Sequence, residues 1–135
     1  MEYHIEAGPK TKKYIEILLP DLLKELGLDR CRKYLMIKVD KDIEHAGSTI
    51  PMLGIDTILV VIKPTRDRMM LGITLAHELV HVAQFAKGLL KPTKNGNKWC
   101  GKFYPRKTPY LYQPWEVQAF AKQEIVFRRI IERTE

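Results

Sequence analysis

His77-Glu78-Leu79-Val80-His81 carries more chemistry than any other stretch of these 135 residues. At about 100° per residue, helix positions i and i+4 differ by roughly 40° around the axis and about 6 Å along it. Both imidazoles can therefore reach one divalent cation at about 2.0–2.1 Å, leaving tetrahedral positions for a third protein ligand and a water. Glu78 projects about 100° from His77, too far round to ligate beside them. It is placed instead to accept a proton from water held there.

The surrounding sequence supports a helix. Between Asp67 and Lys87 there is no proline and a single glycine, Gly72. Met69, Met70, Leu71, Ile73, Leu75, Ala76, Leu79, Val80, Val82, Ala83 and Phe85 are apolar. They surround the helical wheel almost completely, which predicts a buried central helix rather than a surface one. His77, Glu78 and His81 share a sector with Thr74. Ionisable groups buried on one sector must be satisfied, because unpaired burial is costly. A metal ion does so directly; a hydrogen-bonded histidine pair is the alternative.

A third ligand is sought by elimination. His4 and His45 lie upstream, near a terminus and in a polar loop, where surface placement is expected. No histidine follows His81 and no aspartate follows Asp67. Glu116, Glu124, Glu132, Glu135 and Cys100 remain, and Cys100 reads as a partly buried small hydrophobe. Gln113-Pro114-Trp115-Glu116 reads as a helix entry with Pro114 at the first helical position. That helix is expected to run to about Arg133, with Phe120, Gln123, Phe127, Ile130 and Ile131 as its buried stripe. Glu116 heads the stripe, one turn before Phe120, and so points inward. The alternative is that it complements the positive helix N-terminus, worth a few tenths to about 1 kcal/mol.

His77, Glu78 and His81, followed by Trp115-Glu116-Val117-Gln118-Ala119, resemble the gluzincin branch of the zincin metallopeptidases. In that branch HExxH sits on one helix and a glutamate on a later helix completes the site. The likeness is greatest to minimal single-domain gluzincins and to small SprT-like proteins of the kind phages encode, and it spans roughly Ile55 to Phe127. It implies an α+β, zincin-like domain in which a small sheet packs against an HExxH helix and a C-terminal glutamate helix. It implies one zinc ion held by His77, His81 and Glu116, with Glu78 as general base. It also implies a peptide or protein substrate whose backbone adds to a sheet edge near the metal. The chain departs from the pattern in two ways. SprT proteins proper use a histidine as third ligand, and larger gluzincins often carry an acidic residue where Ala119 stands, to orient the first histidine.

Length and composition fit this reading. A chain of 135 residues, 45% hydrophobic and 29% charged, is expected to form a single domain with a real core. Uninterrupted apolar runs such as Ile58–Ile62 are far short of a membrane span, and no secretory signal is read at the N-terminus. Cys31 and Cys100 lack metal-type spacing, so two free thiols in a cytoplasmic protein are expected. Thr11 to Leu26 reads as a kinked helix or two helices around Pro20, stopped by Gly27. Tyr34–Val39 and Ile55–Ile62 read as strands, and Lys41–Pro51 as a loop.

From Leu79 through Trp115 there is no acidic residue, but Lys87, Lys91, Lys94, Lys98, Lys102, Arg106 and Lys107 are present. Removing these seven from 23 basic residues leaves 16, equal to the 16 acidic ones, so the net charge of +7 is local. Trp99, Phe103, Tyr104, Tyr110 and Tyr112 are interleaved, and Lys94-Asn95-Gly96-Asn97 reads as a turn. The expectation is a basic, aromatic insertion over about 88–112: a flexible loop leading to a hairpin beside the cleft. Lys94, Lys98, Trp99, Lys102, Arg106 and Lys107 are its candidate contacts to a nucleic acid or an acidic protein. A solvated hairpin whose aromatics pack on the core is the alternative. Tyr110 and Tyr112 just precede the glutamate helix, and the resemblance implies that one of them donates a hydrogen bond to a developing oxyanion, as tyrosines do in related enzymes.

The expected activity is therefore peptide-bond hydrolysis assisted by zinc. A nucleic-acid-associated zinc protein, with proteolysis coupled or vestigial, is the second reading. A closed structural zinc site is the third, although only three convincing ligands are available.

Overall fold

The computed structural model describes residues 1–52 and 54–134. Glu135, one of the acidic ligand candidates, lies outside them. Among the described residues the chain forms a small α+β domain with three α-helices and two sheets. The first sheet has four strands, β1 (Tyr3–Glu6), β2 (Tyr34–Val39), β3 (Gly47–Met52) and β4 (Thr57–Ile62), in the order β1-β2-β4-β3. β1, β2 and β4 run parallel, and β3 closes the edge antiparallel to β4 with Gly47 opposite Ile62 and Thr49 opposite Val60. The second sheet is an antiparallel meander of β5 (Leu90–Thr93), β6 (Gly96–Trp99) and β7 (Lys102–Pro105).

The helices are α1 (Pro9–Glu25), α2 (Arg68–Ala86) and α3 (Pro114–Thr134). α1 is one continuous helix with Pro20 inside it, and Gly27 follows in the left-handed conformation at φ 69°, where a glycine carries no steric penalty. Its apolar stripe, Ile15, Leu18, Leu19, Leu22 and Leu23, is buried. α2 begins at Asp67, whose carboxylate accepts hydrogen bonds from the amides of Met69 and Met70. This satisfies donors that the helix start would otherwise leave open. Every residue from Leu75 to Gln84 is buried, as the all-round apolar wheel predicts. By length and apolarity alone α2 is long enough to cross a membrane; here it is packed among α1, α3, β3 and β4.

Several expectations are corrected. The stretch read as a loop, Lys41–Pro51, contains the edge strand β3, hidden because Gly47, Ser48 and Pro51 disfavour strands. An edge position tolerates Pro51, since its outward side makes no ladder bond. β1 is not foreseen at all. The flexible loop and hairpin are a three-stranded meander that starts only four residues after α2, with its first turn at Lys94-Asn95. On α3 the buried residues are Trp115, Ala119, Val126, Phe127 and Ile130, with Ile131 partly buried, while Phe120 is 52% exposed. Phe127 and Ile130 of the expected stripe are thus buried, whereas Phe120 faces the cleft beside the His77 ring, and Phe127 meets α2 at Gly72. A Cβ there would stand 2.2 Å from the Phe127 ring.

Candidate metal centre

α2 and α3 pack along each other, and their contact brings the motif histidines to the glutamate helix. Glu116 Oε1 lies 3.1 Å from His77 Nε2 and 3.0 Å from His81 Nε2. The three side chains form a His-His-Glu group that could hold a metal ion, with ligand atoms within 4.8 Å of one another. Glu124 and Glu132 are exposed on other faces of α3 and do not join it. Cys100 is an exposed free thiol at the β6–β7 turn, not the partly buried group expected, and Cys31 is also free.

Each imidazole is oriented from behind. His77 Nδ1 is 2.7 Å from Gln123 Oε1, and His81 Nδ1 is 2.7 Å from Gln84 Oε1. The Gln84 amide nitrogen donates to the Trp115 carbonyl and to Gln118 Oε1, both at 2.9 Å, which fixes its oxygen toward His81. A proton on each Nδ1 donates to these oxygens, so in the neutral imidazoles both Nε2 lone pairs face the Glu116 carboxylate. Two lone pairs and an anion repel unless protons or a cation lie between them. This donor set fits a divalent cation.

Protons on Nε2 can take the place of such a cation. Burial pushes the Glu116 carboxyl up, but hydrogen bonds from His77 and His81 then outweigh it and hold its pKa at about 2. Burial lowers the His81 pKa, yet Glu116 outweighs that and leaves it raised. Tyr110 Oη donates to Glu116 Oε1 at 3.1 Å, and burial together with the Glu116 charge pushes its pKa up to about 12. Tyr110 is therefore a protonated donor. Tyr112, in the same short 3₁₀ turn, is 75% exposed and does not line the cleft.

Glu78 is buried beside the group. Thr49 Oγ1 lies 2.8 Å from its Oε1, and Gly47 passes so close that a Cβ would stand 2.8 Å from Oε2. Burial pushes the Glu78 carboxyl above its usual range, and the Thr49 hydrogen bond offsets only part of this. The group opens into a cleft of about 730 Å³. β3 lines one side with Gly47, Ser48 and Thr49; Met70, Ile73 and Phe120 give it an apolar flank. His45, expected at the surface, is exposed and also borders the cleft.

The meander contributes Leu90 and Asn97 to the cleft wall, whereas its basic residues lie outside it. Lys94, Lys98, Lys102, Arg106 and Lys107 are exposed, and Trp99 is half-buried. Arg106 braces the first turn by donating to the Lys94 carbonyl at 2.8 Å, and Lys102 sits over the Tyr104 ring. Tyr104 in turn packs edge-on against Trp115, so one of the interleaved aromatics does pack on the core.

The sequence reading missed Thr49, Gln84 and Gln123 as site residues. Gln84 carried a signal: it is the single amide in an otherwise apolar stretch, three residues after His81. Thr49 carried none. Comparison with protein-family models, curated proteins and solved structures finds no match, so the likeness of this chain to any family rests on its own residues.

Proposed function

We propose that this protein is a zinc-dependent metallopeptidase of zincin type, in the gluzincin arrangement. One observation carries the reading: a carboxylate oxygen shared by two imidazole Nε2 atoms, with a second buried carboxylate beside them, at the floor of an open cleft. His77, His81 and Glu116 would hold the ion. Zinc, when bound, lowers the pKa of water toward about 7 and polarises a carbonyl.

The remaining chemistry belongs to the chain. Glu78 takes the proton of the attacking water and delivers it to the leaving amine. Burial raises its pKa, which is the direction that helps a carboxylate return the proton it has taken. Thr49 fixes one Glu78 oxygen. Tyr110, protonated at the cleft, would turn its hydroxyl from Glu116 to the oxyanion that develops on the scissile carbonyl. β3 pairs on only one side, and its free edge offers backbone groups to an extended peptide. Glu78→Gln should retain zinc and lose cleavage of a peptide library; cleavage at the wild-type rate contradicts the role given to Glu78.

A second reading is supported by the register of the meander. Lys91, Lys98 and Phe103 stand side by side across its three strands, on the face opposite the buried Leu90. Like charges directly opposite are unfavourable, and an anionic chain stacking a base on the exposed Phe103 would relieve them. Nucleic-acid binding that falls steeply with salt supports this reading, and absence of binding at low salt removes it.

A further inference from the structure

The two amides behind the histidines are unusual partners for a buried cation site, where a carboxylate often stands. Both are held where they act. Gln84 is buried on α2 with each of its polar atoms engaged, and Gln123 reaches from α3 to His77 at the cleft. The charges give a reason for amides. Glu78 and Glu116 each bring one negative charge to the centre, and a divalent cation balances them. A carboxylate at the buried Gln84 position would leave surplus negative charge out of water, which is costly, and one at the half-buried Gln123 would add the same surplus beside His77.

We propose that Gln84 and Gln123 are positioning residues that hold the protons on Nδ1 of His81 and His77, aim both Nε2 lone pairs at one point, and, by being neutral, set the centre to an intermediate zinc affinity. This rests on the metal-centre reading above. An amide oxygen is a weaker acceptor than a carboxylate, so each imidazole gives less electron density to the ion. The ion then keeps more of its polarising power, and the site binds it less tightly than a carboxylate-backed site would.

Gln123 is the position to test, because Gln84 is fully enclosed and its variants risk misfolding. Zinc affinity of the full chain is measured by competition with a chromogenic chelator for wild type, Gln123→Leu and Gln123→Glu. Gln123→Leu is expected to bind zinc about 10- to 100-fold more weakly, and Gln123→Glu more tightly than wild type. Proton NMR of the zinc-loaded wild type is expected to show two hydrogen-bonded imidazole N–H resonances protected from exchange, with the His77 resonance lost in Gln123→Leu. If Gln123→Leu binds as tightly as wild type, or Gln123→Glu binds as weakly as Gln123→Leu, the proposal is overturned while the metal centre stands. If wild type itself binds no zinc, the metal reading fails and this inference with it.

Discussion

Thr49 Oγ1 stands 2.8 Å from Glu78 Oε1, so the edge strand of the sheet is tied to the motif glutamate itself. That bond couples the strand proposed to receive substrate to the carboxylate proposed to move the proton. Thr49→Val keeps the side-chain shape and removes the hydroxyl. A hydrogen bond to a charged group contributes about 1.5–3 kcal/mol; the variant should therefore lose at least about tenfold in kcat while zinc content stays unchanged. Steady-state kinetics beside metal analysis test this, and an unchanged kcat contradicts it.

The packing of α2 on α3 depends on a missing side chain. An alanine Cβ at Gly72 would lie 2.2 Å from one Phe127 ring atom and 2.6 Å from another. Gly→Ala in a helix ordinarily gains up to about 1 kcal/mol, but overpacking a core costs about 1–3 kcal/mol. Gly72→Ala should be net destabilised by about 1–2 kcal/mol in urea unfolding. Equal or greater stability would mean that the two helices are not held in this close approach.

The sequence made the motif helix legible because apolar residues ring it on every side, a pattern that few other arrangements explain. Glu116 was legible for a similar reason: a proline at a helix start and an inward-pointing acid leave few alternatives. β3 was not, since edge strands need no alternating apolar pattern and this one contains Gly47 and Pro51. Phe120 was misplaced because it continues the stripe of Phe127 to where α3 borders the open cleft, and local periodicity cannot register an opening in the packing. Thr49 and Gln123 act across 29 and 46 residues of chain. Only the tertiary fold brings them to their partners.

Glu25 on α1 pairs with Arg129 and Arg133 on α3. Hydrogen bonds from Arg129 and then Arg133 lower its pKa below the ordinary 4.5. A carboxyl whose pKa is depressed on folding stabilises above its unfolded value and loses that contribution as pH falls through the folded one. Both arginines are more than half exposed, so screening limits the effect to about 0.5–1 kcal/mol. Glu25→Gln should be less stable than wild type by that amount at about pH 7, with the gap closing below about pH 4. A gap that widens in acid would contradict the pairing.

The claim on which the rest stands is that His77, His81 and Glu116 together bind one divalent cation. Its most direct test is a zinc titration of the chelator-stripped full chain, alongside Glu116→Ala. Wild type should take up one zinc per chain, and Glu116→Ala should bind it far more weakly while remaining folded by circular dichroism. No saturable zinc binding by the folded wild type, or equal affinity in the two proteins, would contradict the account.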